Sequence, residues 1–340
     1  MKTSMTITFL LLMTVVGIFT GCSETADPKE YFYVGTFDLR GSEGLYVFEL
    51  DREEMKLTQL QTVSDRGGPN FQAIHPSGRF LYSISGDAFS EDADHGTISA
   101  YRIDRETGML TLINEQSIGD SGPAHVSVDP QGRFAYVSNY GPGSVSVLGI
   151  NDDGSLTELL DLVQHEGSGA DPRRQSGPHA HSVIPSADGR FIYASDLGID
   201  KIMIYEVDGS TGKLSPAETP FAENAPGSGP RHFVIHPDGE FAWSIEEMTF
   251  TVAGFSVDPA TGALEQIQRL DLAPDNIDTS TSSGADIHIS PDGKFLYGSV
   301  RGADLLTIYE IDTESGMLNL VGHEPVRGGH PRNFGIDKFG

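Results

Sequence analysis

Two side chains able to bind an anion and move a proton stand together in GSGPRHFVIHPDG, residues 227–239: Arg231 and His232. His179 and His181 form a His-x-His in GPHAHSV, Glu247 closes the acidic pair of SIEEM, and Arg301 (SVRG) and Arg332 (HPRNF) follow. Arginine presents a permanently charged fork suited to a carboxylate, a phosphate or a developing oxyanion. A histidine beside a carboxylate supplies a titratable pair for general acid–base work. His-x-His on a strand could also offer two metal ligands on one face. No third ligand at a suitable spacing accompanies it, so neither a metal nor a cofactor is expected. No Gly-x-Ser-x-Gly elbow and no phosphate loop of the expected form is present.

The elements that must position these residues are repeats. One pattern recurs as GRFLYSISG, GRFAYVSNY, GRFIYASDL, GEFAWSIEE and GKFLYGSVR, led by Gly78, Gly132, Gly189, Gly239 and Gly293. A second recurs as GTISAYRIDRETGML, GSVSVLGINDDGSL, DKIMIYEVDGSTGKL, TVAGFSVDPATGAL and LLTIYEIDTESGML, with an earlier copy in GLYVFELDREEMKL. The spacing of 47–57 residues is that of propeller blades. Each unit holds apolar or alternating runs bounded by Gly, Pro, Asp and Asn, which predicts four short antiparallel strands. No segment has a convincing helical period. The expectation is an all-β protein, a β-propeller of four-stranded antiparallel blades, occupying residues 30–340 as one domain.

Counting eight residues back from each turn glycine gives Asn70, Ala124, His181, Arg231 and Ala285, and from Gly340 gives Arg332. Counting eight forward gives Gly86, Tyr140, Leu197, Glu247 and Arg301. In a hairpin the start of the first strand and the end of the second share the open end, so both columns belong to one rim. His181, Arg231, Glu247, Arg301 and Arg332 should therefore face one space. The alternative is that they pair only with each other across neighbouring blades. His232 lies next to the column as a binding candidate, with His125 at the equivalent place one unit earlier. His75 and His236 fall three residues before turn glycines and read as turn residues.

The chain has 340 residues, with 22 Lys and Arg against 49 Asp and Glu and a net charge of −27. That balance argues against a nucleic-acid partner and against electrostatic attachment to an anionic membrane. At the N-terminus, Lys2, an apolar stretch and small residues have the layout of a secretory signal over residues 1–21. The only cysteine, Cys22, follows Ile18-Phe19-Thr20-Gly21, which resembles a bacterial lipobox. The likeness implies cleavage before Cys22, lipid attachment to its thiol, a polar tether over 22–29, and an extracytoplasmic, membrane-anchored protein in the periplasm or at the cell surface. With one cysteine, no intramolecular disulfide can form.

YVGTF, GPHAHSV, GPRHFVIHPDG, the glutamate of EEM, ADIHISPDGKFLYGSVRG and HPRNFGID, in this order, resemble the 6-phosphogluconolactonase family of seven-bladed propellers, which is related to the carboxymuconate cyclases. The likeness runs over about residues 31–340. It implies a lactonase that opens a sugar-type lactone, an anionic small molecule, to its hydroxy acid. By motif, the resemblance carries a catalytic role to His181, Arg231, Glu247 and Arg301. His179, His232 and Arg332 are expected to bind substrate. His181 or Glu247 would be the general base, and the arginines would stabilise the oxyanion or hold the substrate's anion. A binding propeller without catalysis and a muconate-type cyclase are the alternatives. The family continues past a motif like RNFGID, so the last blade is expected to be truncated, although a six-bladed closure by residues 331–339 is conceivable.

Overall fold

The computed structural model describes residues 29–37, 41–64, 67–86, 96–274, 277–278 and 280–340. The expected signal, the expected tether through residue 28 and Cys22 lie outside these residues. The described residues form six sheets. The first has three strands, β1 (Glu30–Val34), β2 (Leu45–Asp51) and β3 (Lys56–Val63), and the other five have four each. They are β4–β7 (Phe71–Ile74, Phe80–Ser85, Thr97–Ile103, Leu110–Ser117), β8–β11 (Pro123–Val128, Phe134–Asn139, Ser144–Ile150, Leu156–Gln164) and β12–β15 (Ala180–Pro185, Phe191–Asp196, Lys201–Val207, Leu214–Glu223). The last two are β16–β19 (Pro230–Ile235, Phe241–Glu246, Thr251–Val257, Leu264–Asp271) and β20–β23 (Ser283–Ile289, Phe295–Arg301, Leu305–Ile311, Leu318–Pro325). Every pairing is antiparallel between chain neighbours, and no helix occurs among the described residues. This is the expected propeller.

The inner strands β4, β8, β12, β16 and β20 follow one another around the centre. Between adjacent sheets lie separate apolar clusters, one built on Trp243, Ile245, Leu296 and Val300 and another on Tyr82, Ile98, Val126 and Val137. Residues 326–340 contain no strand. They run between the last sheet and the first, where Asn333 and Phe334 bond to Asp286 while Asp337 and Lys338 pair with Arg52 and Glu30. Residues 331–339 thus lie where the expectation of a six-bladed closure places them, without a regular ladder.

His75 and His236 occupy turns, as expected, but they also reach across blades. Each Nε2 lies about 3 Å from the carbonyl oxygen of the next unit's turn glycine, Gly132 and Gly293. Those glycines have φ near +75°, and a Cβ there would meet the imidazole at 2.2 and 2.8 Å respectively. Only glycine allows both the left-handed turn and the approach.

Candidate active site

The inner strands carry a defect at the same place in each of four sheets. In β8–β9 the pairing jumps from Pro123↔Asn139 to His125↔Ser138, leaving Ala124 unpaired. In β12–β13 it jumps across His181, in β16–β17 across Arg231, and in β20–β21 across Ala285 and Asp286. A β-bulge breaks the strict alternation of faces and re-aims side chains. This is why Arg231 and His232, neighbours in sequence, both face one cavity. From the outer arm of each hairpin come Glu247, directly after β17, and Arg301, the last residue of β21.

The cavity measures about 450 Å³, and its walls include His181, Arg231, His232, Glu247, Arg301 and Arg332 together with Tyr140 and Arg174. Its pivot is Glu247. Oε2 accepts from Arg231 Nε at 3.1 Å and lies 2.8 Å from Arg301 Nη2, and Oε1 accepts from Arg174 Nη2 at 2.7 Å. Burial alone would raise the carboxyl's pKa. Arg231, Arg301 and Arg174 outweigh it and bring the group down to about 2. The preceding glutamate, Glu246, turns the other way, into its own sheet against Arg269.

Four arginines against one facing carboxylate leave the cavity short of negative charge. Burial first, then Arg332 and Arg301, pull Arg231 down to about 9. Arg332, stacked over Phe37, is lowered as well, by burial and by Arg301. It makes no hydrogen bond or ion pair among the described residues. In a protein of charge −27, this is a local reversal of charge.

His181 and His232 line the same cavity. The His181 ring lies between Tyr140 and His232, with centroids 5.4 and 5.2 Å away, and its Nδ1 is buried without a partner. Burial, reinforced by Arg231, His232 and Arg332, holds its pKa well below the ordinary value, so it is neutral at pH 7. His232 donates from Nδ1 to Asp286 Oδ1 at 2.6 Å, and its Nε2 faces Arg231 Nη1 at 3.2 Å. Burial and Arg231 lower it to about 4 despite Asp286. Neither imidazole carries a charge that would compete with the arginines.

Six of the seven expected site residues in the described chain line the cavity. His179 does not. Its ring stacks on Tyr140, with centroids 4.6 Å apart, and its Nδ1 lies 2.9 Å from the Tyr140 carbonyl oxygen, so it supports the wall from behind. Strand alternation would have placed His179 and His181 on one face, and the bulge at His181 separates them. Two contributors had no sequence signal of their own. Arg174 belongs to the connection 165–179 and lies outside both repeat columns. Asp286 stands one residue beyond the column, in the wider bulge of β20. Among the described residues no cluster of three or more His, Cys, Asp or Glu could hold a metal.

The family profile described as "Lactonase, 7-bladed beta-propeller" matches residues 31–340. A 6-phosphogluconolactonase from Bacillus subtilis is 37% identical over 306 residues, 90% of this chain and 84% of that protein. One from Formosa agariphila is 35% identical over 312 residues, covering 91% and 86%. Among solved structures, a periplasmic gluconolactonase from Pseudomonas aeruginosa superposes with a TM-score of 0.83 at 31% identity, covering 90% of this chain and 85% of that one.

Proposed function

We propose, for a chain that belongs to the lactonase family of seven-bladed β-propellers, that the arginine-walled cavity hydrolyses an anionic, sugar-type lactone to its hydroxy acid. The observation that carries the reading is one cavity lined by a neutral His181, its Nδ1 without a partner, and by four arginines. Lactone hydrolysis needs water made nucleophilic, an oxyanion held, and the ring oxygen protonated as it leaves.

His181 is the general base. It takes a proton from water as the oxygen attacks the carbonyl carbon, and the carbonyl's electron pair moves onto its oxygen. Arg231 or Arg301 stabilises that oxyanion. When the tetrahedral intermediate collapses, the carbon–oxygen bond of the ring breaks and His181 returns its proton to the alkoxide, giving the hydroxy acid. Glu247 is the weaker candidate for the base, because a carboxylate held near 2 by three arginines has little appetite for a proton at neutral pH. Its work is to fix Arg231 and Arg301 in place. Arg332 and Arg174, nearer solvent, receive the substrate's own anionic group.

The apolar leader and Cys22 support export and lipid anchoring, and the Pseudomonas protein of similar structure is periplasmic. The test is proton release in a pH-stat with gluconolactone, 6-phosphogluconolactone and a homoserine lactone. Hydrolysis above background, fastest for an anionic sugar lactone, is expected. Hydrolysis of none of the three would contradict the reading and favour a propeller that only binds.

A further inference from the structure

Asp286 is not one of the residues that line the cavity, yet it meets the site from two directions. Oδ1 accepts from His232 Nδ1 at 2.6 Å, and Oδ2 accepts from His288 Nε2 at 2.9 Å, Asn333 Nδ2 at 2.7 Å and the Phe334 amide at 3.1 Å. It is 2% exposed, so five hydrogen bonds, counting the Ile287 amide on Oδ1, replace its hydration. We infer that Asp286 is the positioning residue of the site: through His232 it sets the direction of Arg231, and through residues 333–334 it holds the segment that carries Arg332. The inference rests on the lactonase reading for its kinetic consequences only.

Arginine has no acceptor, so the contact between Arg231 Nη1 and His232 Nε2 exists only if Nε2 bears a lone pair. The proton is then on Nδ1, which an ionised carboxylate requires of its partner. Asp286 therefore selects the tautomer, and the tautomer gives Arg231 an acceptor. With Nε bonded to Glu247 and Nη1 bonded to His232 and the Ala285 carbonyl, the guanidinium plane is fixed on two edges. Its remaining N–H groups have one direction in which to point.

Replacing Asp286 by Asn tests this without emptying the space. The amide oxygen of Asn satisfies the three donors on the Oδ2 side, which turns the NH₂ toward His232 at the expense of the single Ile287 amide bond. His232 must then accept on Nδ1 and carry its proton on Nε2, against an N–H of Arg231. Nitrogen-15 spectra of histidine-labelled protein, with the His232 signals assigned by their loss in His232→Gln, read the tautomer without any substrate. The expected result is Nδ1–H in the native protein and Nε2–H in Asp286→Asn. In turnover, Asp286→Asn should lower kcat by about tenfold to a hundredfold, a part of the ~10²–10³ that loss of an oxyanion donor costs. Added to His232→Ala it should cost less than about threefold more, because the two act through one contact.

An Nε2–H tautomer in the native protein, an unchanged kcat in Asp286→Asn, or multiplicative losses in the double variant would overturn the inference. Should Asp286→Asn not fold, His232→Gln and His232→Ala decide. The Gln oxygen can accept from Arg231 without help, so it should keep at least about fivefold more kcat than Ala, and equal values overturn the inference. If the native protein opens no lactone, the functional reading fails, while the tautomer experiment still decides the role of Asp286.

Discussion

Replacing Glu247 by Gln removes the one carboxylate that Arg231, Arg301 and Arg174 share. The side chains of Arg231 and Arg301 are 2% and 8% exposed, so water cannot take over the lost charge, whereas Arg174, 46% exposed, can turn outward. Breaking a buried ion pair by deleting one partner costs ~3–5 kcal/mol. The lower end applies here, because the Gln oxygen still accepts one hydrogen bond and one of the three cations escapes. At ~2–4 °C per kcal/mol for large domains, the melting temperature should fall by roughly 6–12 °C. The exposed Glu218→Gln, with the same change of charge, should leave it unaltered. Phosphate then supplies the missing anion. At a hundredfold excess over its dissociation constant it adds about 2.7 kcal/mol, so it should return most of the lost stability and raise the variant more than the native protein. Differential scanning calorimetry with and without phosphate reads both effects. A Glu247→Gln melting temperature within a degree of native, or equal phosphate shifts in the two proteins, would refute the account of the cavity as an anion site balanced by Glu247.

Arg231→Ala should lose ~10²-fold or more in kcat if this arginine faces the oxyanion, and a folded variant with native turnover would remove that role. Arg174→Ala should raise KM for an anionic lactone several-fold more than it lowers kcat, as steady-state kinetics on 6-phosphogluconolactone would detect. His125, His181 and His232 are all depressed, chiefly by burial, His232 to about 4, so below pH 6.5 the unfolded chain binds protons that the native protein refuses. Stability should be complete above pH 6.5 and decline as pH falls toward 4, with the contribution of Glu247 following between about 4.5 and 2. A melting temperature flat from pH 7 to 5 would contradict this.

Much of this site could be read from the sequence because each turn glycine pins the register of its hairpin. Eight residues either side of Gly239 lead to Arg231 and Glu247, and the structure brings these together through a 3.1 Å contact. What the count could not foresee was the bulge. It puts His232 beside Arg231 in the cavity, where alternation would have separated them, and it turns His179 behind Tyr140. In the last sheet the defect is two residues wide, so the column lands on Ala285 while the side chain that bonds His232 is Asp286. Arg174 escaped for another reason. Its connection, residues 165–179, is longer than those between the other sheets, and its position is set by tertiary bonds: Gln175, fully buried, ties the loop to the Leu197 carbonyl and to Asp200. No periodicity encodes such an anchor.

The central claim is that His181 is the base and that Glu247 only holds the arginines. The direct measurement is kcat/KM for 6-phosphogluconolactone hydrolysis by native protein, His181→Gln and Glu247→Gln, each verified as folded, with phosphate omitted. The account predicts a loss of ~10²–10⁴ for His181→Gln and a distinctly smaller one for Glu247→Gln. Native-like activity in His181→Gln, or the deeper loss in Glu247→Gln, would contradict it.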